Sequence, residues 1–503
     1  MTPTLLGVDI GTTHCKAGTF DLAGAVIRLA SRPTPTGRTA EGHPYHDPEA
    51  LWGAVIAVIR EVLANTPERC VEVVGVAGMA EAGLLVDVAD GTPRTEILPW
   101  FDPRSTEQIE SIVRESDPWS LFRRTGLRPS FKYGLSKILW QRQRSPDIIS
   151  GAVWLSVPDY IVYRLTGRMV TDPTLAARTY AYDLTEGAWD TAWIRHFDLD
   201  SALFPEVHAS GTPAGNVTPS AAQTTGLRLG TPVAVSGHDH ICTLLAAGIA
   251  APGPVLDSIG TAESVLGVLD GLKLDQATFE SGLTIAPHVV GGLWCWQGGA
   301  PAAGGSIEWL RAQLGEEPLS YDRLVELLAE VDLEPGDILY VPYLAGSGAP
   351  VHNLHVRAAF AGLSASHGRA DLVKAVLEGT AYEFESIRRA AEGLTGVPIH
   401  EVVVAGGGAR NPRWLQIRAD VSDCACRTLS LPDATVLGAA LTAALGCGLL
   451  SDLANVTEIA QHFRDDRRTF IPETSRHTRY RHLYETRYEP FQAFLRQNTE
   501  EKY

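Results

Sequence analysis

Asp9, the one charge in the apolar run 5–10, stands two residues ahead of Gly11-Thr12-Thr13, with Lys16 three residues beyond Thr13. Backbone amides and hydroxyls at such a turn can face a phosphate, and a carboxylate beside them can hold Mg²⁺ directly or through water. Lys16 either adds positive charge to the same phosphates or is a solvated lysine; spacing leaves both readings open. A second polar cluster, Ser236-Gly237-His238-Asp239-His240, follows the apolar run 232–235 and precedes the helix-like 241–247. That puts it at the carboxyl end of a strand, where α/β folds place ligands. His-Asp-His invites a metal site, yet successive side chains point in different directions. Asp239 is better suited to take a hydroxyl proton as a general base, with the histidines as substrate-contact or packing groups.

Glu81 lies in Gly78-Met79-Ala80-Glu81-Ala82-Gly83, among small and apolar residues that cannot satisfy a carboxylate. A buried carboxylate is costly unless hydrogen-bonded, so Glu81 either faces a cavity or sits in an exposed loop. Trp100, Asp102 and Arg104 offer an aromatic face, a carboxylate and a guanidinium, a mixture suited to a polyhydroxylated molecule. An Asp–Arg ion pair within the loop is the equal alternative.

The elements that must carry these groups alternate between strand and helix, so the expected class is α/β. Runs 5–10 and 15–20 read as a hairpin around the first turn, and Asp47-Pro48 opens a helix to about Ala64 with an apolar stripe. Further on, 254–259 leads into Gly260-Thr261-Ala262 and the apolar Val265-Leu266, which suggests the same strand-turn-strand device built twice. The run 401–405 enters Gly406-Gly407-Gly408 and a helix-like 414–421, a way to bring amides near a nucleotide, although the dinucleotide fingerprint is not met. Gly, Ala and Pro cluster near 248–254, where a boundary is expected. In the tail, Tyr480, Tyr484, Tyr488, Phe491 and Leu495 recur at helical spacing, with Pro490 placed to kink or interrupt the helix.

Composition narrows the function. At 503 residues the chain has room for two or three domains, and 45% apolar with 20% charged residues excludes a disordered or collagenous chain. A net charge of -17 opposes nucleic acid as a main partner but permits a small anion held by amides and a metal. Seven cysteines form no evident disulfide framework, and Cys424-Ala-Cys426 is too closely spaced for a zinc pair. With no signal-like start and no unbroken span of bilayer length, a soluble cytoplasmic protein is expected.

In this order the pieces resemble the FGGY family of carbohydrate kinases, from Asp9 to about Gly446. The most specific part is Ala358-Ala359-Phe360-Ala361-Gly362-Leu363, then seven residues, then Asp371 to Glu378. The resemblance implies two duplicated actin-like (ribonuclease H-like) domains with an interdomain cleft: 1–248 carrying the sugar side, 249–450 the nucleotide side, and 451–503 a helical tail packed on the second domain. It implies ATP and Mg²⁺, with Thr12, Thr13, His14 and Lys16 near the phosphates, Gly260 and Thr261 in a second phosphate loop, and Gly304, Glu308, Gly407 and Asn411 lining the nucleotide. Asp239 matches the catalytic base and Asp9 the Mg²⁺-associated aspartate.

The sugar side departs from better-known relatives. Xylulose kinases carry Met-His-Gly where this chain has Ala80-Glu81-Ala82. Glycerol kinases carry Arg-Glu there, and a glutamine after the base where this chain has His240. Trp100, Asp102, Arg104 and the stretch 172–179 look more like the pentulose kinases. The expected activity is ATP-dependent phosphorylation of a ketose or polyol of unspecified identity, with no nucleic-acid or membrane partner; a homodimer is compatible with it. An actin-like or chaperone-like ATPase and a non-catalytic sugar-binding regulator are the rival readings.

Overall fold

Residues 2–64, 69–315, 317–431 and 433–499 are described by the computed structural model. Strand β1 (Thr2–Ile10) buries Leu5, Leu6, Val8 and Ile10 completely, as a central strand covered on both faces must. It pairs antiparallel with β2 (His14–Phe20), which continues antiparallel into β3 (Val26–Pro33). On its other side it pairs parallel with β4 (Arg69–Gly78), followed by parallel β5 (Pro232–His238).

The second sheet repeats this plan. Strand β6 (Val255–Ile259) pairs antiparallel with β7 (Glu263–Leu269), which pairs antiparallel with β8 (Trp294–Ala300). Parallel to β6 run β9 (Glu401–Ala405) and then β10 (Ala425–Leu429). The orders β3-β2-β1-β4-β5 and β8-β7-β6-β9-β10 therefore match in direction throughout, so the expected duplication is present in the topology. The copies agree in detail too. A Cβ on Gly78 would stand 2.8 Å from the Ile10 carbonyl oxygen, and one on Gly406 would stand 2.5 Å from that of Ile259. Only glycine lets the following loop leave so close to the central turn in either copy.

Helix α1 (Pro48–Leu63) starts as its sequence indicates, with Asp47 accepting from the Ala50 amide at 2.8 Å, and stops one residue short of Ala64. The remaining helices that matter are α2 (Gly134–Arg144), α3 (Asp239–Ala246), α4 (Gly304–Gln313), α5 (Arg369–Thr395), α6 (Pro412–Ser422) and α7 (Ala434–Gly446). Helices α3 and α7 form the junction: one apolar cluster joins Leu5, Val73 and Ala234 of the first sheet, Leu244 and Leu437 of these helices, and Leu256 and Val403 of the second sheet. The backbones meet closely here. Cβ atoms on Gly7, Gly75 and Gly438 would lie 1.9, 2.1 and 2.0 Å from the carbonyl oxygens of Val436, Ala439 and Cys242. Ser236 Oγ donates to Ala439 O at 2.7 Å, and the Thr243 and Thr435 hydroxyls are 2.8 Å apart.

The tail is helical over Thr474–Leu483 and Glu489–Gln497, and Tyr480, Tyr484 and Tyr488 are buried against Tyr382 of α5. The helix continues through a wide turn over Tyr484–Tyr488, and Pro490 follows it directly, so the expected interruption takes the form of a widened turn. Among the described residues each cysteine is free, and no helix is long and apolar enough to cross a membrane.

Candidate active site

Because Asp9 is opposite Lys16 across the β1–β2 ladder, the two side chains share one face of the sheet. Lys16 Nζ reaches Asp433, at the start of α7, at 2.5 Å. Asp9 is 5% exposed and its Oδ1 has no hydrogen-bond partner. Burial, with Asp239 and Asp433 adding negative charge against the opposing Lys16, pushes its carboxyl up to about 8. Thr13 and His14 are exposed at the turn and Thr12 is half-buried.

Asp239 owes its position to the turn between β5 and α3. Gly237 has φ 114°, and a Cβ there would stand 2.4 Å from Thr174 Oγ1. That hydroxyl donates to buried Asp172 and accepts from the His238 amide at 2.8 Å. Asp239 is thereby presented at the first turn of α3. Its Oδ1 accepts from the His240 amide at 2.7 Å and lies 3.1 Å from His238 Nε2 and 3.7 Å from His240 Nδ1. Burial alone would raise its pKa; His240 and His238 outweigh it and hold the carboxyl below its ordinary value. His240 is itself kept toward the neutral form by burial. One potential ligand atom from each of the three residues lies within 4.8 Å of the others, but Asp239 is already engaged by both neighbours in the manner of a base held ionised.

Glu81 is buried rather than in an exposed loop, with φ 62°, in the left-handed region. Arg178 donates to its Oε1 from Nε at 2.8 Å and Nη2 at 2.6 Å, and Lys132 Nζ is 3.6 Å away. Burial opposes ionisation, but Arg178, Lys132 and His238 together hold the carboxyl well below the usual range. Trp100 Nε1 donates to Thr12 Oγ1 at 2.9 Å, tying the aromatic loop to the first turn. Asp102 and Arg104 satisfy each other: Arg104 Nε donates to Asp102 Oδ2 at 2.7 Å and its Nη2 to Pro44 O at 3.0 Å. Of the two readings of this pair, the geometry is that of the loop ion pair, and Asp102 is 2% exposed.

In the second copy, Gly260 and Thr261 are exposed, and their carbonyls accept from the amides of Gly304 at 3.0 Å and Gly305 at 2.9 Å. A Cβ on Gly304 would stand 2.3 Å from Gly260 O. Gly407 has open space beside it, and Asn411 caps α6 through the Arg413 and Trp414 amides. The carboxylate of Glu308 is engaged by Arg311 at 2.8 Å and by the Tyr321 hydroxyl, so it is a surface bridge on α4. The structure thus brings Asp9, Lys16, Asp239, His240 and Glu81 within electrostatic reach of one another, with Trp100 linked through Thr12, and joins Gly304 to the Gly260-Thr261 turn; the short turn from Gly407, which Asn411 follows, packs beside β6. Lys132 and Asp433 are not among the residues the sequence points to, and Arg178 enters there only as part of the stretch 172–179, with no role of its own. Asp433 carries only the weak signal of a charge at a helix start.

The N-terminal domain model of the FGGY family of carbohydrate kinases matches residues 4–246, and the C-terminal domain model matches 257–447. A xylulose kinase of Staphylococcus xylosus is 28% identical over 444 residues, covering 88% of this chain and 90% of that protein. A glycerol kinase of Gloeobacter violaceus is 29% identical, covering 90% of each. The crystal structure of xylulose kinase from Rhodospirillum rubrum superposes with a TM-score of 0.86 at 28% identity, covering 98% of this chain and all of that one (100%). The two domain models between them account for most of the chain, one over each of the two matching sheets, and the chain belongs to the FGGY family of carbohydrate kinases.

Proposed function

We propose that the chain transfers the γ-phosphoryl group of ATP to a hydroxyl of a ketose or polyol, with Asp239 as general base. The observation that carries this is Asp239 in the first turn of α3, its Oδ1 held by the His240 amide at 2.7 Å and 3.1 Å from His238 Nε2, close enough to Asp9 and to Arg178 to bear on the charge of both. Asp239 takes the proton of the attacking hydroxyl, a contribution of roughly 10²- to 10⁴-fold. The remaining residues position and neutralise, because the transferring phosphoryl group has a loose transition state with its charge spread over oxygens. Lys16 and the Thr12-Thr13 turn bind phosphate on one side, Gly260 and Thr261 on the other, with Gly304, Gly407 and Asn411 beside the nucleotide. Glu81, Trp100 and His240 face the sugar, and Asp102–Arg104 brace the Trp100 loop.

The donor set fits Mg²⁺: a buried carboxylate oxygen without a partner, beside two further carboxylates, is stabilised by a hard divalent cation. Asp9 would hold it, and when bound it neutralises charge on the phosphates. The sugar is taken as a pentulose or a close relative, since xylulose kinases stand among the relatives; the equally similar glycerol kinase keeps a polyol within the class. ADP release from MgATP, measured across pentuloses, hexuloses and polyols, tests the reading. Strong stimulation by one sugar or polyol is expected, whereas hydrolysis that none of them accelerates would favour an ATPase regulating a protein partner.

A further inference from the structure

Lys137 sits in the first turn of α2, 1% exposed between the fully buried Leu135 and Ile138. Its Nζ donates to three main-chain carbonyls: Glu81 at 2.6 Å, Pro99 at 2.8 Å and Leu98 at 3.3 Å. An ammonium has three protons, so its donors are spent on backbone and none is left for a ligand or a carboxylate. A side chain needed only to fill this space would be apolar, since a buried ammonium is costly and burial here pushes its pKa down to about 7. The three carbonyls belong to two separate segments. One leaves β4 and carries Glu81 in its left-handed conformation; the other carries Trp100 to the Thr12 hydroxyl. Strain of the kind held at Glu81 persists only where surrounding contacts over-determine it, and Lys137 grips the carbonyl of that same residue.

We infer that Lys137 is a positioning residue for sugar recognition, fixing the main chain at Glu81 against that of Leu98-Pro99 so that the Glu81 carboxylate and the Trp100 indole are set relative to each other. The inference rests on the reading that these two segments line the sugar pocket. Its action is on binding, through carbonyls 56, 39 and 38 positions away in the chain.

The test is steady-state kinetics of the full chain, varying separately MgATP and the sugar that most stimulates ADP release. Lys137→Met is expected to raise the sugar KM about tenfold, as loss of well-placed ground-state binding does, and to leave the ATP KM within about twofold of the parent. Unchanged KM values with only a lowered unfolding midpoint would overturn the inference, and so would a parallel rise of both KM values. Should Lys137→Met not fold, Lys137→Gln, which is shorter and keeps at most two of the three donors, is expected to raise the sugar KM about threefold with the ATP KM unchanged, and an unchanged sugar KM or a parallel rise of both overturns the inference. Glu81→Gln separates the two levels. If it leaves the sugar KM unchanged, the pocket reading fails; if it raises that KM while the Lys137 variant does not, only the role of Lys137 fails.

Discussion

Glu81 and Arg178, 97 positions apart, form a two-pronged ion pair through Nε and Nη2, and both side chains are almost wholly buried. The pair is what makes a carboxylate tolerable among Ala80, Ala82 and Met79. Arg178 comes from the short turn after Asp172, the same segment whose Thr174 supports the Asp239 turn. One stretch of chain therefore braces both Glu81 and the turn that carries Asp239.

Breaking this pair from one side leaves an uncompensated buried charge. Arg178→Met is expected to cost about 3–5 kcal/mol in urea unfolding, and adding Glu81→Gln to it recovers part of the loss. Additive single effects in that cycle would contradict the coupling.

Asp9 gives a pH signature. Its carboxyl is raised to about 8 in the fold, against 3.8 ordinarily, so between about pH 4 and 8 the folded state holds a proton that the unfolded state has lost. This group's contribution to stability therefore falls as pH rises through that window and levels off above about 8. Without nucleotide or metal, Asp9→Asn should raise the melting temperature at pH 8 and change it little at pH 4; scanning fluorimetry at the two pH values measures this.

Gly75 permits β4 to lie against α7. A Cβ there would stand 2.1 Å from Ala439 O, a backbone atom with no freedom to move aside. Gly75→Ala is expected to destabilise by about 1–3 kcal/mol or more, read as a lowered urea midpoint. An unchanged midpoint would mean that the junction yields easily.

Gly304 seals the second turn, and its replacement acts on the nucleotide. With a Cβ 2.3 Å from Gly260 O, Gly304→Ala displaces the Gly260-Thr261 turn. The expected result is a raised ATP KM with sugar binding unaltered in calorimetry.

Much of this was legible in the sequence because it is local. The run 5–10 is apolar but for Asp9, as suits a short strand covered on both faces, and its Gly-Thr turn recurs at 260–261. Strand-end positions of Asp9 and Asp239 follow from the same reading. What was illegible depends on topology: Lys16 meets Asp433 across 417 positions, and Lys137 meets Glu81 across 56. No spacing rule reports such contacts. Asp102 and Arg104 show a different limit, since two residues that close in sequence could serve a ligand or each other, and only the coordinates show the bond. Within the segment that identifies the family most specifically, Glu378 of α5 accepts from the Gly336 amide and the Tyr480 hydroxyl, so that residue's visible work is holding the second domain together.

The base itself is tested most directly by Asp239→Asn, with phosphoryl transfer followed in a single turnover after calorimetry has shown that ATP and sugar both bind. Transfer slowed by roughly 10²-fold or more, with both affinities retained, is the predicted result. Transfer at the parental rate would contradict the assignment of Asp239 and, with it, the account of how this cleft works.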